Sequence, residues 1–192
     1  MRYPVKTAIK KFAFHSCVAL VTSGMLFGSI ESGQANEAVS QRNKLKSAII
    51  VNFIRYTRWP QDSLYSQSAD INVCVYANHE MEESLLNSKG KTINNKIIEI
   101  RILYRLRGLD ECHVLYTENM DRTQVKRVFS IVNNKPILTI TDQTNGSENS
   151  GIINFIDEAE RLRFEIFIEK STAANLKISS RLLNLSTNNS GR

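Results

Sequence analysis

Three cysteines, three histidines and scattered carboxylates and guanidiniums are the groups in this 192-residue chain whose types suit chemistry. Their spacing points away from catalysis. The eight glycines form neither GxGxxG nor GxxxxGK[ST], so no backbone loop is built to cradle phosphate. GxSxG and HExxH are absent too, which removes the usual serine-nucleophile and zinc-hydrolase signatures. His113 lies in an apolar run, where an imidazole is usually packed. A hydrolase would have to pair it with Asp110 or Glu111. His79 opens a predicted helix, the wrong end of the helix dipole for a cation. Carboxylates cluster at Glu82-Glu83, Asp110-Glu111 and Asp157–Glu160, the last reading as a solvated hairpin turn. Arg101, Arg105 and Arg107 cluster near a strand end, as a solvated loop or a hold for an anionic ligand. In Arg163-Phe164-Glu165-Ile166, strand alternation sets Arg163 and Glu165 on one face and Phe164 and Ile166 on the other. That charged pair suits a surface ion pair or a contact with a partner. We expect no enzyme, cofactor or metal site.

The first residues bear on where this chemistry takes place. Residues 1–11 carry Arg2, Lys6, Lys10 and Lys11 and no acid. Residues 12–30 contain no Asp, Glu, Lys or Arg, and Gly33 and Ala35 follow. Positive, then apolar, then small is the order of a secretory signal, with cleavage expected after Ala35. The alternative is an uncleaved anchor, since the apolar stretch is close to the ~20 residues that span a bilayer. Residues 1–35 are thus read as leader and 36–192 as one exported domain that works outside the cytoplasm. The chain holds 25 Lys+Arg against 19 Asp+Glu, a net charge of +6. Without the leader, 21 basic and 18 acidic groups leave +3, too little to suggest nucleic acid. Removing the leader removes Cys17 and leaves Cys74 and Cys112. Two thiols in an oxidising compartment usually pair. The alternatives are two buried free thiols and a Cys74/His79/Cys112/His113 zinc set. Adjacency of Cys112 and His113 works against the zinc set, because strand neighbours point to opposite faces.

Helices and strands alternate along the remainder. Residues 36–43 are polar and expected to fray. Residues 44–57 read as a helix with Leu45, Ala48, Ile49, Asn52, Phe53 and Tyr56 recurring on its inner face, Ile50, Val51 and Ile54 widening the apolar arc, and Lys46 on another face. Trp59-Pro60 stops it. Strands are expected at 71–76, 96–103, 112–117 and 136–141, with helices at 79–87 and 121–132 capped by Asn78 and Asp121. Residues 142–150 read as a loop, and 151–156 with 162–168 as a hairpin turning at Asp157–Glu160. Helices at 171–176 and 179–186 close the chain. This is an α/β single-domain sandwich: a mostly parallel central sheet, a C-terminal hairpin and flanking helices.

Five segments in this order resemble the YfiR-like family of periplasmic regulatory proteins. The helix LKSAIIVNFIRYTRWP is similar to that family's opening signature through Lys46, Ala48, Asn52, Phe53, Tyr56, Trp59 and Pro60. INVCVYAN and ECHVLYT resemble the strands bearing its first cysteine pair, Cys74 and Cys112 here. KPILTITD resembles the strand before a variable loop. The block from Ser150 to Ser186 resembles the closing strands and helix. The likeness covers about residues 44–186.

The resemblance implies a regulator. Such proteins repress a membrane-bound diguanylate cyclase by binding its periplasmic sensor domain, which lowers cyclic di-GMP and biofilm formation. An outer-membrane lipoprotein and a second copy of the chain are further partners it implies. It places Glu165, with Arg163 and Ile166, on the partner-binding face. It also implies a second cysteine pair, but Asp142–Asn154 contains no cysteine, and Ser150-Gly151 stands where Gly-Gly is usual. The alternative function is a periplasmic small-molecule-binding adaptor serving another signalling protein, such as a sensor kinase.

Overall fold

Runs rich in Ile and Val form the strands, and the residues that cap or break them set the order of the rest. The structure, a computed structural model, describes residues 31–142, 150–158 and 161–189. Residues 143–149 of the expected 142–150 loop, residues 159–160 of the expected hairpin turn and residues 1–30 of the expected leader lie outside them. The chain divides into two units, Met1–Glu37 and Ala38–Arg192, and the second carries the sheet.

The elements run α1 (Glu31–Arg55), β1 (Thr57–Arg58), α2 (Leu64–Gln67), β2 (Asp70–Tyr76) and α3 (His79–Leu86). Then come β3 (Thr92–Ile93), β4 (Lys96–Ile102), a 3-10 turn (Leu109–Glu111), β5 (Val114–Glu118) and α4 (Arg122–Val132). The chain ends with β6 (Leu138–Asp142), β7 (Ile153–Glu158), β8 (Arg161–Ile166), α5 (Ile168–Ala173), β9 (Lys177–Ile178), α6 (Ser180–Leu183) and a 3-10 turn at Thr187–Asn189. Seven strands form one sheet in the order β3-β4-β2-β5-β6-β7-β8. β4, β2, β5, β6 and β7 are parallel, and β3 and β8 are antiparallel edges. The mixed α/β sandwich is therefore the one the alternation of elements predicts.

Alternation along each strand builds two cores. Ile71, Val73 and Val75 of β2 and Tyr116 of β5 face one layer, which Ile50, Phe53 and Ile54 of α1 and Met81 and Leu85 of α3 complete. Cys74 and Leu115 face the other, beneath Val125, Val128 and Val132 of α4. Asn78 caps α3 by accepting from the Met81 amide at 2.9 Å. Asp121 and Gln124 form a capping box on α4. Asn94 and Asn95 both take positive φ, 51° and 63°, which suits the tight turn joining β3 to β4.

Four expectations need correction. Residues 36–43 are helical, because Glu37, Ala38 and Gln41 are good helix formers and no proline interrupts them. The buried face of α1 is Asn43, Lys46, Ser47, Ile50, Phe53 and Ile54, while Leu45 is half exposed and Asn52 points to solvent. The periodicity held, but the helix is rotated because its inner face is partly polar. Asp157 and Glu158 continue β7 into register with Leu162 and Arg161 instead of forming the turn. The closing helices differ in placement: α5 begins at Ile168 where 171 was expected, and α6 covers only Ser180–Leu183 of the expected 179–186. Asn175, at φ 55°, ends α5 in the left-handed conformation. The chain then pairs as β9 with β1, Thr57 opposite Ile178.

Gly151 marks the tightest approach in the sheet. Its amide donates to the Thr141 hydroxyl at 2.9 Å. A Cβ there would sit 2.5 Å from the Thr139 carbonyl oxygen, so backbone would have to move. Gly151→Ala is expected to destabilise the fold by about 1–3 kcal/mol, the usual range for overpacking. Urea unfolding checks it; an unchanged midpoint would show that β6 and β7 separate freely.

Candidate functional site: a polar sheet edge and a buried ionic cluster

The β8 hairpin strand places the residues singled out for partner binding. Leu162, Phe164 and Ile166 turn toward the α1 core, where Phe164 meets the Phe53 ring edge-on at 4.9 Å. Arg163 and Glu165 therefore lie on the opposite face, both half-buried. Glu165 is in register with Asn154 of β7, whose side-chain oxygen accepts from Thr141 of β6 at 2.8 Å. A polar strip thus crosses three strands. Ile166 is 1% exposed and belongs to the core, so it positions the strand and offers no surface of its own. The outer edge of β8 is partly occupied: Thr187 donates to the Phe164 carbonyl, and the Asn188 amide side chain bonds both the N–H and C=O of Ile166.

A second polar group lies inside, at the carboxyl ends of β5 and β6. Lys46 of α1 forms an ion pair with Asp142, and both side chains are mostly buried. Tyr116 donates to Glu118 at 3.0 Å and lies 3.4 Å from Asp142. Glu118 also accepts from the Asn78 amide at 2.8 Å, which ties the start of α3 to β5. Ser47 extends the polar face by donating to the Ser84 carbonyl at 2.9 Å. Apolar periodicity misses this cluster, since it assigns Lys46 to a solvent face. The signals that could have found it are an acid at the end of each of two consecutive parallel strands.

Burial raises the Glu118 pKa above the ordinary carboxylate range, and Asp142 adds to the rise, whereas the Asn78 amide, Tyr116 and Lys46 oppose it. Tyr116 is pushed well above its ordinary value by burial, then by Glu118 and Asp142. A carboxyl with a raised native pKa binds its proton more tightly when folded. Its contribution is complete below the unfolded value, about 4.3, and is lost as pH rises through the native value. Glu118→Gln should remove this slope. The variant is expected to gain on wild type as pH rises from 4 to 7 in denaturation midpoint. A constant difference across that range would show that Glu118 does not titrate in the fold.

The end of the signature helix is an aromatic stack. Trp59 lies on Tyr65, centroids 4.0 Å apart, and Tyr65 meets His113 edge-on at 5.7 Å. Lys96 sits over the Tyr65 ring and donates to the Ser68 carbonyl. Tyr56 carries Arg181 of α6 against its ring at 5.9 Å. Asn52 alone of the signature residues Asn52, Phe53, Tyr56 and Trp59 is fully outside this packing. His113 is 1% exposed, and its Nδ1 accepts from the Asn72 amide at 2.8 Å. Burial lowers its pKa. Asp110 and Glu111 are exposed, and Glu111 pairs with Arg101 at 2.6 Å, so neither serves His113. Cys74 and Cys112 form a disulfide, Cα atoms 5.7 Å apart, joining neighbouring strand segments. Among the described residues no group of three or more His, Cys, Asp or Glu is placed to hold a metal.

No helix among the described residues is long and apolar enough to cross a membrane. The family model described as YfiR/HmsC-like matches residues 43–187, which span α1 from its buried Asn43 through the turn that closes β8. That family is periplasmic and regulatory rather than catalytic, and its members generally engage the periplasmic sensor domain of a signalling partner. Membership suggests a periplasmic regulator of cyclic di-GMP signalling. With three quarters of its length matched, disulfide and signature helix included, the chain belongs to the YfiR/HmsC-like family.

Proposed function

We propose that this protein is exported, loses its leader after Ala35, and represses a membrane-bound diguanylate cyclase by binding its periplasmic sensor domain. Repression lowers cyclic di-GMP and biofilm formation. The observation that carries the reading is the family match over residues 43–187. The polar strip on β8 supports it: Arg163 and Glu165 stand on a strand braced from behind by Phe164 and Ile166, so the charges are presented on a fixed backbone. An outer-membrane lipoprotein that sequesters the regulator and a homodimer fit the same role.

Deleting the gene should raise cyclic di-GMP, and wild type supplied on a plasmid should restore it. Glu165→Lys should fail to restore it while the protein accumulates normally, because like charges brought together at an interface cost several kcal/mol. A two-hybrid assay against the cyclase's periplasmic segment reads the contact directly. Unchanged cyclic di-GMP on deletion, with no cyclase captured, would overturn the proposal.

A further inference from the structure

The sheet has a reversal point. From β2 the chain moves outward to β4, then returns to the other side of β2 as β5. In open parallel sheets such a reversal leaves a crevice outside the carboxyl ends of the strands, and ligands bind there. Here the crevice is a cleft of about 320 Å³. Tyr76, the last residue of β2, forms one wall. Tyr104, Arg105 and Arg107, just after β4, form another, and Gln124 and Arg127 of α4 close it.

Two features make this more than a basic loop. First, the three guanidiniums share one cleft, and no described side chain accepts from any of them. By contrast Arg101 of β4, four residues before Arg105, is already paired with Glu111. Second, the walls are fixed. Leu106, between the two loop arginines, is buried in the core cluster that contains Cys74 and Cys112. Gln124 is held at both ends: its carbonyl accepts from the Asp121 amide at 2.9 Å and its NH2 donates to the Tyr76 hydroxyl at 2.8 Å. The Tyr76 proton is thereby left to donate into the cleft. The α4 terminus itself is spent, since the Thr123 and Gln124 amides both go to Asp121.

We infer that this cleft binds a small organic phosphate monoester. Planar guanidinium forks match phosphate oxygens, and three of them suit a dianion. Tyr104, 85% exposed at the rim, offers a flat face to the organic part. The inference is independent of the cyclase reading, because it uses none of the β8 residues.

Calorimetric titration of the purified protein with phenyl phosphate, inorganic phosphate and sodium chloride at matched ionic strength tests it. Phenyl phosphate should bind saturably and more tightly than inorganic phosphate, and chloride should give no saturable signal. Arg105→Ala and Arg127→Ala should each weaken phenyl phosphate about tenfold, the usual value of one charged hydrogen bond. Together they should abolish measurable binding. Tyr104→Ala should erase the preference for the phenyl compound. All three side chains are exposed, so unfolding midpoints without ligand should match wild type. Absence of saturable binding, binding unchanged in the double variant, or equal affinity for the two phosphates would each overturn the inference.

Discussion

Replacing both bridged cysteines with alanine is expected to lower stability by about 4 kcal/mol, close to the chain-entropy value for a tie across 38 residues. A domain of this size is held by only about 5–15 kcal/mol, so the variant should unfold at far lower urea. Cys74 is fully buried and Cys112 is 2% exposed, which makes the double alanine change cleaner than serine. A serine hydroxyl would enter an apolar cluster of Leu109, Leu115 and Val128 with a desolvation penalty of its own. Burial also predicts that reductant alone acts slowly on wild type and quickly once urea opens the fold. Equal midpoints for wild type with and without reductant, both at equilibrium, would show that the bridge contributes no stability.

Lys46→Met carries the second large effect, a loss of about 3 kcal/mol or more, because it strands buried carboxylates without their cation. Asp142 loses its ion pair, and Glu118 loses a charge that helps keep it ionised. The partner change tests the cause. Lys46→Met with Asp142→Leu should recover much of the loss, since an apolar pair can replace a buried ion pair at little cost. If the two losses simply add, the ion pair is not the source. Circular dichroism melts of the three variants decide it.

Much of the fold was legible in residue pattern. Asn78 and Asp121 marked their helices because a side-chain oxygen at the cap has one evident use, and Val125, Val128 and Val132 spaced three and four apart could only be a buried stripe. The disulfide followed from the expected compartment and from having two thiols. Other features were hidden for physical reasons. Lys46 and Ser47 are buried through bonds to Asp142 and Ser84, partners 96 and 37 residues away, which no local periodicity reports. Strands of two residues, such as β1 and β9, carry no alternation to read. Of the partner-face residues, alternation put Arg163 and Glu165 opposite Phe164 and Ile166, but only the packing against α1 shows that Ile166 lies inside. The cleft arginines were visible as a cluster, but the wall opposite comes from α4, and Arg127 was not grouped with them.

The clasp between β1 and β9 bears on how the chain acquires its fold. α1 is made early, yet Phe53 needs Phe155 and Phe164, Lys46 needs Asp142, and Thr57 needs Ile178. Every one of these partners belongs to the last third of the polypeptide. During vectorial synthesis or threading the first helix must wait, unsheathed, until the tail emerges. Such long-range closure slows assembly and leaves an apolar stripe available to chaperones in the interval. Truncation after Leu176 should therefore trap a species that is half built at its beginning as well as at its end.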